Sequence, residues 1–207
     1  APGDLPLLND FSESLWFTRP RSDAESGVWW FDDVAHKAVP VARLRTAPST
    51  GHLTGEVKRG DNVNAIMDLL PEGTVLAMTL VVQPQDKLEE SFASLSRNSM
   101  GENVDSLRAR EDAATARNFL GNKHKLYRAA ITLLIKAQDK ETLDKRYLDL
   151  SSKLLNCGME PINPEHDIGP LSSYMRGFPM CFNPQMDKHN WYTRLMFVQL
   201  FACLAPI

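Results

Sequence analysis

Cysteine is scarce in this chain: Cys157, Cys181 and Cys203 are three in 207 residues. An odd count at unrelated spacings frames no disulfide scaffold and forms no C-x-x-C zinc pattern, so a reducing, cytoplasmic home fits best. A large excess of one charge sign is missing as well, with 23 Lys and Arg against 26 Asp and Glu. A formal net charge of -3 argues against a protein whose main business is coating nucleic acid, which needs a concentrated basic face, and leaves a local basic patch open. Long apolar runs are missing too. The greasiest stretch, 195–207, is flanked by Arg194 and broken by Gln199, and it falls short of the roughly 20 residues of a spanning helix. The opening APGDLPLLND holds no charged segment followed by an apolar one, so nothing reads as a signal peptide.

What remains is ordinary globular usage, 24% charged and 43% hydrophobic, enough to bury one sizeable core with appendages. Residues 1–25 mix Pro2, Pro6 and Pro20 with charged residues around Trp16 and Phe17, which predicts an arm laid on a surface. GVWWFDD and VPVARLRT then read as a β-hairpin closed by a link containing His36 and Lys37. GHLTGEV reads as a strand, Asp61 as the cap of a helix carrying Val63, Ile66, Met67 and Leu70, and TVLAMTLVVQ as a buried strand. Asp86 and Glu89 are spaced like a capping box for a helix to about Arg97. A charged helix from Glu102 to Leu120 follows the Gly101 break. The pattern then repeats: KLYRAAITLLIKA is a strand, Leu143, Tyr147, Leu150 and Leu154 stripe a helix that Cys157 and Gly158 end, and MEPIN is a last strand.

Two β-α-β halves separated by helices predict an α+β fold. The expected form is a split β-α-β, ferredoxin-like mixed sheet with a helical layer, an N-terminal β-hairpin and a C-terminal helical extension. The expected organisation is an arm over 1–25, an α+β docking domain over 26–163, and a Pro-punctuated linker and helix over 164–207, with the apolar helix starting near Lys188.

Chemistry-bearing motifs are weak. Gly55 to Asn62, GEVKRGDN, has the two-glycine skeleton of a phosphate loop, but Asp61 and Asn62 stand where Lys and Ser/Thr would reach the phosphates and Mg²⁺. A turn is the better reading. His166, Cys181 and His189 are the one His/Cys gathering, an alternative metal-binding or thiol-enzyme site whose spacing matches no site class. Arg43, Arg45, Lys58 and Arg59 offer a basic strip, which edge-protecting charges explain equally well. Trp29 and Trp30 are adjacent, so in a strand they point to opposite faces, and an exposed tryptophan hints at a partner surface. Asp105, Arg108, Glu111 and Asp112 read as ion pairs on a solvated helix. The candidate partner surface is therefore Trp29, Trp30, Arg43 and Arg45, with no catalytic, cofactor or metal residue assigned.

The stretch from Lys145 onward, KRYLDLSSKLLNCGMEPINPEHDIGPLSSYMRGFPMCFNPQMDKHNWYTRLMFVQLFACLAPI, resembles the segment that leads to the nucleotide-binding domain in VirB/TraC-type ATPases of type IV secretion and conjugative transfer. Its GFP turn and proline punctuation carry the likeness, and the upstream elements resemble the same N-terminal domain. The resemblance implies a non-catalytic docking and self-associating domain at the cytoplasmic face of the inner membrane, peripheral rather than spanning, with other secretion components as partners and no direct nucleic-acid binding. ATP and Mg are implied only for a separate ATPase domain, since no G-x-x-x-x-G-K-[ST] occurs in these 207 residues. The missing initiator Met and the apolar end predict a piece of a longer protein, with the last helix's open face covered by a neighbouring copy or a crystal contact.

Overall fold

The computed structural model describes residues 19–59, 62–82, 84–99, 101–121, 124–179, 181, 183–189 and 192–205. Trp16, Phe17, Gly60, Asp61 and Trp191, which figure in the expectations above, lie outside them. The fold is α+β, built on a largely antiparallel seven-stranded open sheet. Its strands are β1 (Arg21–Asp23), β2 (Val28–Phe31), β3 (Val34–Leu44), β6 (Val75–Val81), β7 (Leu126–Ala137), β8 (Met159–Pro161) and β9 (Arg194–Phe197). The order is β1-β2-β3-β7-β6, with β8 also on β3 and β9 also on β7. Taken as β8-β3-β7-β6, the four strands of the two halves lie in the sequence fourth, first, third, second. This is the split order expected of a ferredoxin-like sheet, but its first strand is β3 and not GHLTGEV.

Contacts divide the chain into two compact units. The first comprises Ala1–Arg43, Leu69–Ala77 and Ile131–Asn183, and the second Leu44–Asp68, Met78–Ala130 and Pro184–Ile207, so β6 and β7 run through both. In the first unit β7 is apolar on both faces, and Ile131, Leu133, Leu134 and Ile135 are buried, as a central strand requires. Helix α4 (Lys140–Asn156) follows it. Asp139 caps α4 by accepting from the Thr142 N–H at 2.8 Å, an arrangement worth about 1 kcal/mol. Leu143, Leu150 and Leu154 form the buried stripe, and Gly158, at φ 80°, supplies the left-handed stop. Beyond β8 come a 3₁₀ turn at Pro164–His166 and helix α5 (Pro170–Arg176), each with a proline in its first turn, where the missing N–H costs nothing.

The hairpin differs from expectation. Its turn is the two-residue Asp32-Asp33, with Asp32 at φ 53°, and His36 and Lys37 lie within β3 opposite Trp29 and Val28. Asp tolerates the left-handed region better than most residues, so the acidic pair closes the hairpin and the polar residues after it become strand. The end of the predicted arm is also strand, for Arg21, Ser22 and Asp23 pair with Trp30, Trp29 and Val28.

In the second unit, GHLTGEV supplies turns and the start of β4 (Val57–Arg59), which pairs with β5 (Asn62–Asn64) in a separate ribbon. The following helix α1 is short, Ile66–Leu69, and exposed Val63 belongs to the ribbon instead. Helix α2 (Gln85–Asn98) begins without a side-chain cap, so the expected capping box is not formed. Gln85 instead exchanges two hydrogen bonds with the Leu126 backbone, at 3.0 and 3.1 Å, a side-chain amide standing in for a strand partner. Helix α3 (Val104–Gly121) packs antiparallel to α2 in a helical hairpin, and Leu88, Leu120 and Leu126 make a core with Phe92 and Phe197.

The terminal apolar helix is also corrected. Residues 184–205 divide into α6 (Pro184–His189), β9 and α7 (Val198–Cys203), because residues 194–197 pair antiparallel with β7 and that pairing overrides helical periodicity. Leu204 is buried, whereas Val198, Leu200 and Phe201 are half-buried. No helix among the described residues is long and apolar enough to cross a membrane. β6, expected as a buried strand, ends the sheet path and is half-buried along its length, with Val75 exposed.

Candidate interaction surface

The first unit gathers its functional groups on the two faces of β2 and β3. Strand alternation places Trp29, Phe31, His36 and Ala38 on one face, toward α5, and Trp30, Ala35, Lys37 and Val39 on the other, toward α4. The α5 side is an aromatic cluster. Trp29 and Phe31 stack at 6.0 Å, and Phe31 lies 5.1 Å from His36 and 5.8 Å from Tyr174, which in turn meets Phe178 at 5.2 Å. The Trp29 indole N–H donates to the Leu171 carbonyl at 3.1 Å, so this half-buried indole is held by α5.

Within the cluster the Tyr174 hydroxyl and His36 Nδ1 are 2.8 Å apart. Burial pushes the Tyr174 hydroxyl up to about 12, so it stays a donor and Nδ1 accepts. Burial, helped by the Lys136 charge across the strand pair, holds His36 below the usual imidazole value. The neutral ring is therefore the folded form. The unfolded chain then binds the extra proton first as pH falls below about 6.5, so His36 stabilises the fold fully above that value and progressively less through its depressed value. Urea midpoints at pH 7.5 and 5.5 are expected to fall further for the natural chain than for His36→Gln. Equal pH losses in the two would disprove the link.

On the other face, Lys37 Nζ lies 4.6 Å from the Tyr147 ring centroid and 3.9 Å from the Asp144 carboxylate. Burial lowers the Lys37 ammonium, and Asp144 opposes that shift. Lys37 and Tyr147 line a cavity of about 30 Å³ with Glu25, Ser26, Ile162 and Asp167, room for a water and little more.

The residues singled out from sequence are placed as follows. Trp30 is half-buried under the Arg21 guanidinium, 5.7 Å from the ring centroid. Arg43 is mostly exposed and bonds Glu160 at 2.8 Å, which raises its pKa. Arg45, exposed, belongs to the second unit. His166 sits in the 3₁₀ turn, Cys181 is half-buried with its carbonyl taking an Arg176 N–H, and the His189 side chain lies outside the described residues. Among the described residues no group of three His, Cys, Asp or Glu could hold a metal ion. Among the described residues, i,i+4 ion pairs join Lys145 to Glu141 and Lys153 to Asp149 on α4.

Sequence reasoning missed Tyr174 and the strand role of His36. The one available signal was the helical spacing of Leu171 and Tyr174 behind Pro170. These elements define an α+β domain with a split antiparallel sheet, whose hairpin carries an aromatic cluster on one face and a lysine–tyrosine contact on the other. The model of the TraC protein family matches residues 2–182, most of the chain, and the protein belongs to that family. It is thus a component of type IV secretion in conjugative transfer. A search of the curated proteins finds no match.

Proposed function

We propose that this domain is a non-catalytic docking and assembly module of a conjugative-transfer ATPase. It joins other secretion components and copies of itself at the cytoplasmic face of the inner membrane. The supporting observation is the family match over residues 2–182 in a sequence with no Walker A loop. ATP and Mg²⁺ are then used by a separate domain of the parent protein. The hairpin suits docking because Arg43, of a residue type enriched at interface hot spots, is exposed on β3, and Trp30, another such type, lies half-buried on β2 under the Arg21 guanidinium.

Two measurements on the purified chain test this reading. Calorimetry with ATP and Mg²⁺ is expected to give no binding heat, and phosphate release no turnover. Measurable turnover would sink the non-catalytic assignment. In co-purification with the other secretion components, Trp30→Ala with Arg43→Glu is expected to reduce capture at least tenfold with the thermal midpoint held within a few degrees. Undiminished capture would remove the hairpin from the interface.

A further inference from the structure

Strand β6 ends the sheet order, and among the described residues no strand pairs with its outer edge. Exposed edges are normally blunted by charge, proline or a bulge, because their open N–H and C=O groups template pairing with another chain. β6 carries none of the residue-level devices: Val75-Leu76-Ala77-Met78-Thr79-Leu80-Val81 contains no charge and no proline. Val75 is 56% exposed, and the other six residues are half-buried rather than buried, so the strand is not enclosed in the core.

The sequence of β6 also says which partner fits. VLAMTLV reads nearly the same in both directions. Antiparallel pairing about Met78 sets Val75 against Val81, Leu76 against Leu80 and Ala77 against Thr79, with Met78 against itself. A two-fold interface requires the same patch on both copies to be self-complementary, and here every position except the Ala77–Thr79 pair meets its own residue type. No like charges face each other, the usual penalty when a strand pairs with itself. An unrelated peptide has no need of such a palindrome.

We infer that β6 is the self-association edge of this domain, pairing antiparallel with β6 of a second copy about a two-fold axis at Met78. This rests on the self-association reading above and assigns it to one strand. A single strand pair buries less than the roughly 1,000 Å² of a stable interface, so the dimer is weak alone and gains from other contacts in the assembled machine. In the pair, directly opposed Cβ atoms lie about 5 Å apart. Val75 and its own symmetry mate are separated by about 20 Å, six residues of strand rise.

The test uses the 207-residue chain with Cys157, Cys181 and Cys203 replaced by serine. With a short bis-thiol crosslinker, Met78→Cys is expected to crosslink to itself. Val75→Cys and Val81→Cys are expected to crosslink when mixed and not when alone. Light scattering across a concentration series gives the mass independently, and Thr79→Lys is expected to abolish the dimer while circular dichroism melting stays unchanged. A dimer that forms without this positional pattern, or that survives Thr79→Lys, would overturn the β6 assignment and leave self-association standing. A chain that stays monomeric and uncrosslinked at all concentrations would overturn both, while docking to other components would be untouched.

Discussion

Leu150→Ala is expected to lower the unfolding free energy by about 3 kcal/mol, enough to remove a large share of a domain's stability. Leu150 is fully buried on α4 between Leu143 and Leu154, which are equally buried. Truncation removes three carbons from a packed site and leaves a cavity that the flanking leucines, fixed to the same helix, fill poorly. The control lies two residues earlier. Leu148, on the same helix, is 68% exposed, so Leu148→Ala removes almost no buried contact and is expected within about 0.5 kcal/mol of the natural chain. Alanine favours the helix at least as well as leucine, so propensity cannot account for a difference between the two. Urea titrations should move the midpoint for Leu150→Ala with an unchanged slope. Equal shifts at the two positions would refute the assignment of α4 as the helix that covers the first unit's core.

Helix α4 was legible because two local signals agree. A leucine stripe at i, i+7 and i+11 and a glycine stop mark the element that the chain forms, and the structure adds an Asp139 cap at its start. The last helix was misread because its signal was apolar content at helical spacing without a cap, and β7 recruited residues 194–197 into pairing. The distinction is physical. Local chemistry fixes an element whose ends it caps, whereas an uncapped apolar run takes whichever pairing the rest of the fold presents. The hairpin illustrates a third case. Its strands were recognised, but the turn was set at His36 and Lys37 instead of the acidic pair at 32–33, which moved both side chains out of the strand where they meet Tyr174 and Tyr147. The split sheet order was visible in the alternation of strands and helices. The aromatic cluster was not, because Tyr174 and His36 are 138 residues apart and nothing local couples them.

The seat of that hairpin yields the other large effect. Gly27 opens β2 at φ 66°, and a Cβ built there would lie 2.5 Å from the Cβ of Pro170 and 3.1 Å from its Cγ. Two penalties therefore add in Gly27→Ala. The left-handed backbone costs an L-residue about 1–2 kcal/mol, and the added methyl meets a rigid ring at the first turn of α5, an overpacking that costs about 1–3 kcal/mol. The expected loss is about 3 kcal/mol in all. Asp23 reinforces the constraint by accepting from the Glu25 N–H at 3.1 Å and from the Ser26 hydroxyl, which fixes the turn and leaves the chain little room to retreat. A double-mutant cycle separates the two penalties. Pro170→Gly removes the obstructing ring and Cβ, so in its background Gly27→Ala should retain only the backbone cost, and the coupling between the positions should be about half the total. The same displacement should loosen Trp29 from the Leu171 carbonyl on α5, giving a change in tryptophan emission that a purely local turn defect would not produce. A loss below about 0.5 kcal/mol, within the ordinary range for surface substitutions, would show that β2 and α5 do not approach this closely.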